Sequence, residues 1–255
     1  MSLFEPEKSA LEALIELFSN GQFEKALISI DNLFKNFPKD PTLHNIAGAC
    51  HAGLGEFSLA VKSYNQAILI KPDYAKAHYN LANTFHELGE LNDSIDSYKD
   101  SIKLDPNYAE AHNNLGNVLI DNAQLDEAIF CFEKAIILNP EYIEAHYSLG
   151  MINHEIGNLN EAVNSYKDVI KINPKFSEAY NNLGKAYKEL GNLNFAIEAY
   201  QEALKINPNF SEAHNNLGNI YKELGQLEEA ILSYKKALEI NPDYPVLHNN
   251  LGMAL

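Results

Sequence analysis

Seven prolines divide the chain at equal intervals: Pro38, Pro72, Pro106, Pro140, Pro174, Pro208 and Pro242 each follow the last by 34 residues. A fixed period of this length signals a stacked array, in which each copy is one supersecondary unit that buries its apolar face against its neighbours. Such an array has no single central core and grows by adding copies, so 255 residues need not imply two ordinary globular domains.

The stretch Ala109–Pro140 shows what one copy contains. His112, Leu115, Gly116 and Leu119 are spaced i, i+3, i+4, i+7, which draws one apolar stripe along a helix, here helix A. A second stripe of Leu125, Ala128, Ile129, Phe132, Ala135 and Ile136 predicts helix B. Gly21, Gly55, Gly89, Gly157, Gly191 and Gly225 occupy the junction, where helix A ends in a left-handed conformation that costs glycine little. Ala123 stands there in one copy, and a looser or differently closed turn is expected. The periodic prolines then stop helix B, since proline has no N–H and clashes with the preceding turn. Two helices of about 14 residues joined by a short loop lie antiparallel.

Small residues recur where the helices must approach closely. Gly48, Ala82, Gly116, Gly150, Gly184, Gly218 and Gly252 share one position on helix A, and Ala26, Ala60, Ser94, Ala128, Ala162, Ala196 and Ala230 share one on helix B. A glycine inside a helix costs roughly 1 kcal/mol against alanine, so its recurrence implies packing worth more than that. The aromatic series Tyr64, Tyr98, Phe132, Tyr166, Tyr200 and Tyr234 is expected to fill the gap between helix B and the next copy.

These residues together resemble the tetratricopeptide repeat (TPR) pattern: an aromatic, Leu-Gly and Tyr on helix A, then Ala, aromatic, Ala and Pro on helix B. Residues 211–244 reproduce it as His214, Leu217, Gly218, Tyr221, Ala230, Tyr234, Ala237 and Pro242. The resemblance implies an all-α, right-handed α-solenoid (superhelix), with residues 7–255 as a single array after a leader of residues 1–6. Full repeats fall at 7–40, 41–74, 75–108, 109–142, 143–176, 177–210 and 211–244, with a half repeat at 245–255. Repeat 7–40 matches least, as an N-terminal cap would. The half repeat lacks a helix B over Leu251, Gly252, Met253 and Leu255, which leads us to expect a longer parent protein or a covering chain. The departure from the family is histidine where tryptophan is common, at His44, His78, His112, His146, His214 and His248, with Tyr180 in the remaining copy.

Composition narrows the partners. With 35 acids against 19 lysines and arginines the formal charge is −16, which disfavours a phosphate backbone or an anionic membrane surface. No apolar run approaches the roughly 20 residues needed to span a bilayer, and the first residues lack the order of a secretory signal. Cys50 and Cys131 fall at unrelated places in two copies and read as packing in a reducing compartment, so the expected location is cytoplasmic. The histidines lie one per copy, in a row and not a cluster, so no metal site and no cofactor are expected. No Ser-His-Asp order, phosphate loop or HExxH is present, and no catalytic residue is assigned.

Asparagines give the better lead. Asn80, Asn114, Asn182, Asn216 and Asn250 stand directly before the helix A leucine, and Asn83, Asn117 and Asn219 stand three residues further on. Asparagine is a mediocre helix former, so propensity does not explain its return in mid-helix. Either these side chains bond within the scaffold, or they face a ligand. The first set is similar to the asparagine ladder in the TPR arm of the O-GlcNAc transferases, which implies that it holds a peptide backbone; an amide offers both an acceptor and a donor. The ladder fails at Ser148 and Ile46, and Tyr79, Tyr147, Met151 and Lys185 are the neighbours expected to supply selectivity. A recurrent acid near the end of helix A (Glu87, Asp121, Glu155, Glu189, Glu223) has no evident reason in the sequence. The expected function is a non-enzymatic protein–protein interaction module that takes an extended, neutral to basic peptide in its concave groove. Two alternatives stand beside it: the substrate-recognition arm of a transferase whose catalytic domain follows Leu255, and a scaffold that self-associates through its open end.

Overall fold

The computed structural model describes Pro6, residues 8–243 and residues 245–254, so the expected leader and Leu255 fall largely or wholly outside the described residues. Among those described there are fifteen α-helices and no strands. The chain divides into two compact units, residues 1–138 and 139–255. The first holds α1 (Lys8–Ser19), α2 (Phe23–Phe34), α3 (Pro41–Gly53), α4 (Phe57–Ile70), α5 (Ala75–Glu87), α6 (Leu91–Leu104), α7 (Ala109–Asp121) and α8 (Leu125–Leu138). The second holds α9 (Ile143–Glu155), α10 (Leu159–Ile172), α11 (Ser177–Glu189), α12 (Leu193–Ile206), α13 (Ser211–Glu223), α14 (Leu227–Ile240) and α15 (Pro245–Gly252). From α1 to α14 each helix A packs on its own helix B, and within each unit each helix B packs on the following helix A. The fold is therefore an α-solenoid of helical hairpins.

The predicted small positions are where the backbones meet. Ala26, Ala60, Ser94, Ala128, Ala162, Ala196 and Ala230 are all fully buried. A Cβ on Gly184 would lie 2.6 Å from Tyr200 Cε1, and one on Gly116 would lie 2.7 Å from Phe132 Cε1. The helix B aromatic thus lies across the glycine of its own hairpin. It also reaches the next copy, since Tyr64 packs with Leu81, Tyr166 with Leu183 and Tyr200 with Leu217. It fills the gap to the next copy as expected and, in addition, lies against the small residue of its own hairpin. Where Ala82 replaces that glycine, Ser94 stands opposite, and its Oγ donates to the Ala82 carbonyl at 2.8 Å.

The junction glycines take φ between 68° and 84°. Ala123 does not open the turn as expected but adopts φ 57°. Its N–H bonds the Ile120 carbonyl at 2.9 Å, as Gly89 bonds His86 at 2.9 Å. The array imposes one turn geometry, and the alanine carries the strain of a left-handed conformation.

The histidine slot has a reason that the sequence did not show. The Nε2–H groups of His44, His78, His112, His146, His214 and His248 donate to the carbonyls of Pro38, Pro72, Pro106, Pro140, Pro208 and Pro242, at 2.7–3.2 Å. Each ring ties the start of a helix A to the proline that ends the preceding helix B. Burial holds His112 and His214 below the usual histidine range, which keeps the neutral, donating tautomer in place.

Candidate functional site

The two asparagine positions fall on helix A, one helical turn apart, and both are half-buried in most copies. Their amides are oriented by the scaffold. Asn80 Nδ2 donates to Asn45 Oδ1 at 3.0 Å, and Asn114 Nδ2 to Tyr79 Oη at 2.9 Å. In the second unit Asn182 Nδ2 donates to Tyr147 Oη at 2.9 Å, Asn216 Nδ2 to Asn181 Oδ1 at 3.2 Å and Asn250 Nδ2 to Asn215 Oδ1 at 2.8 Å. Each of these bonds joins residues 35 apart, so each reaches from one helix A back to the residue just before the equivalent position of the previous copy. This inter-repeat stitching explains the recurrence of asparagine, and of Asn or Tyr at the preceding position.

The second set has a different task. Asn83 Oδ1 accepts from Tyr98 Oη, and Asn219 Oδ1 accepts from Tyr234 Oη at 2.8 Å. The helix B tyrosine crosses the small residue of its hairpin, Ala82 or Gly218, and the asparagine satisfies its hydroxyl. At the equivalent pair of positions, Asn117 and Phe132, the ring has no hydroxyl to donate, and Asn117 is partnered otherwise. Lys185 replaces asparagine opposite Tyr200. It is drawn into an ion pair with Glu212, and the buried Tyr200 hydroxyl has no hydrogen-bond partner. Burial first, then Glu212 and Glu189, push that hydroxyl well above the usual tyrosine range.

These bonds use one end of most amides and leave the other. Among the described residues, Asn80, Asn182, Asn216 and Asn250 have no donor on Oδ1, while Asn83 and Asn219 have no acceptor for Nδ2. None of these atoms is a sealed, unpartnered polar group. Two hairpins therefore present a free acceptor and a free donor one turn apart: Asn80 with Asn83, and Asn216 with Asn219. Asn114 differs, because its Nδ2 also bonds Asn83 Oδ1 at 3.2 Å and its Oδ1 accepts from Asn113 at 3.1 Å. It is a strut.

The recurrent acid at the end of helix A is partly explained. His86 Nε2 lies 2.7 Å from Asp121 Oδ2, and His154 Nε2 lies 3.0 Å from Glu189 Oε1. In both cases the acid meets the side chain one residue earlier in the previous copy. In the first unit Asn80 and Asn83 also line a pocket of about 390 Å³ with Phe18, Ala49, Ala52, Phe57, Tyr64, Thr84 and Glu87. Among the described residues no three or more His, Cys, Asp or Glu side chains are grouped to hold a metal, and no helix is long and apolar enough to cross a membrane. Cys50 and Cys131 are buried and unpaired, and burial raises both thiols to about 11, so neither is a ready nucleophile.

An array of helical hairpins with this glycine–aromatic packing defines a helical-repeat protein. The chain belongs to the tetratricopeptide repeat family: the TPR repeat description matches residues 51–89, 82–122, 150–191, 185–225 and 218–255, and the Tetratricopeptide repeat description matches 109–142 and 131–164. Among solved structures, MamA is similar at 31% identity, with 64% of this chain and 95% of that chain covered and a TM-score of 0.62. YrrB, described as a TPR protein with an unusual peptide-binding site, is 24% identical over 74% of this chain and 97% of that one, at a TM-score of 0.66. The C-terminal part of a TPR repeat-containing protein from Cytophaga hutchinsonii is 16% identical over 94% and 98% of the two chains, at 0.80. No curated protein matches the sequence. In all, 502 solved chains match, so the fold by itself does not select a role. The TPR repeats support a protein-interaction module.

Proposed function

We propose that the helix A face binds an extended segment of a partner protein through its main chain. One observation carries this reading: the scaffold fixes each amide by one end and leaves a free Oδ1 on Asn80 and Asn216 and a free Nδ2 on Asn83 and Asn219. An acceptor and a donor one turn apart match the N–H and C=O of an extended backbone. Because the amides are already oriented, little side-chain entropy is lost on binding. Asn182 and Asn250 add acceptors, Lys185 adds a charge held by Glu212, and Asn114 and Asn117 support the wall. Contacts of this kind read the backbone and leave selectivity to side-chain pockets. With a formal charge of −16 the favoured segment is neutral to basic.

The test compares a fluorescein-labelled nonapeptide of alternating Ala and Ser around a central Arg with the same peptide N-methylated at alternate residues. Methylation removes the backbone donors and leaves the side chains, and affinity is expected to fall about ten-fold or more. Asn83→Asp with Asn219→Asp keeps both tyrosine bonds and deletes both free donors, and is expected to weaken the unmethylated peptide similarly. Equal affinity for the two peptides contradicts main-chain recognition.

A further inference from the structure

The pocket beside Asn80 and Asn83 exists because one copy departs from the others. Asp121 and Glu189 each face a histidine of the previous copy, at 2.7 Å and 3.0 Å. For Glu87 the matching residue of the previous copy is Ala52, which has no charge and little volume. One turn earlier Ala49 stands where other copies carry asparagine, methionine or lysine. Two alanines thus open about 390 Å³ between α1, α3, α4 and α5, walled by Phe18, Phe57 and Tyr64. Glu87 is exposed and lines this space, and among the described residues it has no ion-pair partner. No lysine or histidine lines it.

We propose that this pocket is the side-chain specificity site of the groove and that it receives a basic side chain, arginine or lysine, of the bound segment. The aliphatic stem lies against Phe18 and Phe57, where aromatic faces favour a neighbouring cation. The charged head reaches Glu87 and takes the place that His86 holds against Asp121 in the next copy. An acidic side chain meets like charge and an apolar wall. A neutral one leaves the carboxylate unmatched. The proposal rests on the main-chain reading above, since Asn80 and Asn83 fix the backbone that delivers this side chain.

The experiment uses the full chain and the central-Arg nonapeptide against the same peptide with citrulline, which keeps the shape of arginine and lacks its charge. Fluorescence anisotropy is expected to show the arginine peptide bound about ten-fold more tightly. Glu87→Gln is expected to abolish the difference while leaving citrulline binding unchanged. Ala52→His is expected to abolish the difference as well, here by filling the pocket and pairing with Glu87, so that citrulline binding weakens too; unshifted melting curves show that both variants fold. If arginine and citrulline peptides bind wild type equally, or the arginine preference survives Glu87→Gln, the pocket assignment is overturned. The main-chain reading then still stands or falls on the N-methyl peptide. If neither peptide binds, both proposals fall together.

Discussion

Hairpins 75–108 and 177–210 carry the same two-helix plan and differ at one decisive position. In the first, Asn83 accepts the Tyr98 hydroxyl and keeps its Nδ2 free of scaffold partners. In the second, Lys185 stands in place of that asparagine, turns to Glu212, and leaves the Tyr200 hydroxyl buried without a partner. Asparagine can satisfy the scaffold and still face outward, because its two ends do opposite work. Lysine has donors only and one charge, and the charge decides where it goes. The difference shows that these asparagines are structural, and on the proposed reading they are recognitional at once. A position that gives up the amide gives up the first task as well.

The two tyrosines break this comparison most directly. Tyr98→Phe removes a donor from Asn83 and is expected to destabilise the protein by about 1 kcal/mol, whereas Tyr200→Phe removes an orphaned hydroxyl and is expected to stabilise it by about 1–3 kcal/mol. Denaturant melts of the two single variants check the sign, and two losses of equal size contradict it. Ala196→Leu, at the sealed seam beside Tyr200, is expected to cost about 1–3 kcal/mol. An unshifted melt contradicts that packing. Ala123→Gly relieves the left-handed turn between α7 and α8 and is expected to raise stability by about 1 kcal/mol, while Gly89→Ala lowers it by a similar amount.

The smallest effect comes from pH. The folded protein holds His112 and His214 below the usual histidine value, so the unfolded chain binds more protons. Their contribution is present above the unfolded value and lost as pH falls through the folded one. Stability should therefore decline between pH 7 and pH 5. The decline should be shallower in His112→Phe with His214→Phe, which urea melts at a series of pH values check.

The hairpins, their register and their close-packed seams were legible because each depends on residues that recur every 34 positions: the prolines, the junction glycines, and the glycine or alanine under each ring. What was hidden runs between copies or departs from the period. The histidine-to-proline bonds join residues six apart across a helix end, so the slot looked like mere packing. The asparagine bonds join residues 35 apart, one more than the period, and that offset between Asn114 and Tyr79 or Asn182 and Tyr147 is the signal that could have revealed them. Sequence posed scaffold against ligand as alternatives for the same side chains. Bond geometry shows the scaffold half in full, and the free ends of Asn80, Asn83, Asn216 and Asn219 motivate the other. Ala123 looked like an exception to the turn and is a strained copy of it. Of the acid series, Asp121 and Glu189 are accounted for by His86 and His154 of the previous copies, which lie opposite them.

The central claim is that amides pinned at one end hold a peptide backbone with the other. Side-chain amide NMR of the ¹⁵N-labelled chain tests it most directly during titration with the central-Arg nonapeptide. The Nδ2 protons of Asn83 and of Asn219 are each predicted to shift downfield to saturation, while those of Asn114, whose amide is fully bonded within the scaffold, stay in place. Binding that leaves the Asn83 and Asn219 resonances unmoved contradicts the account.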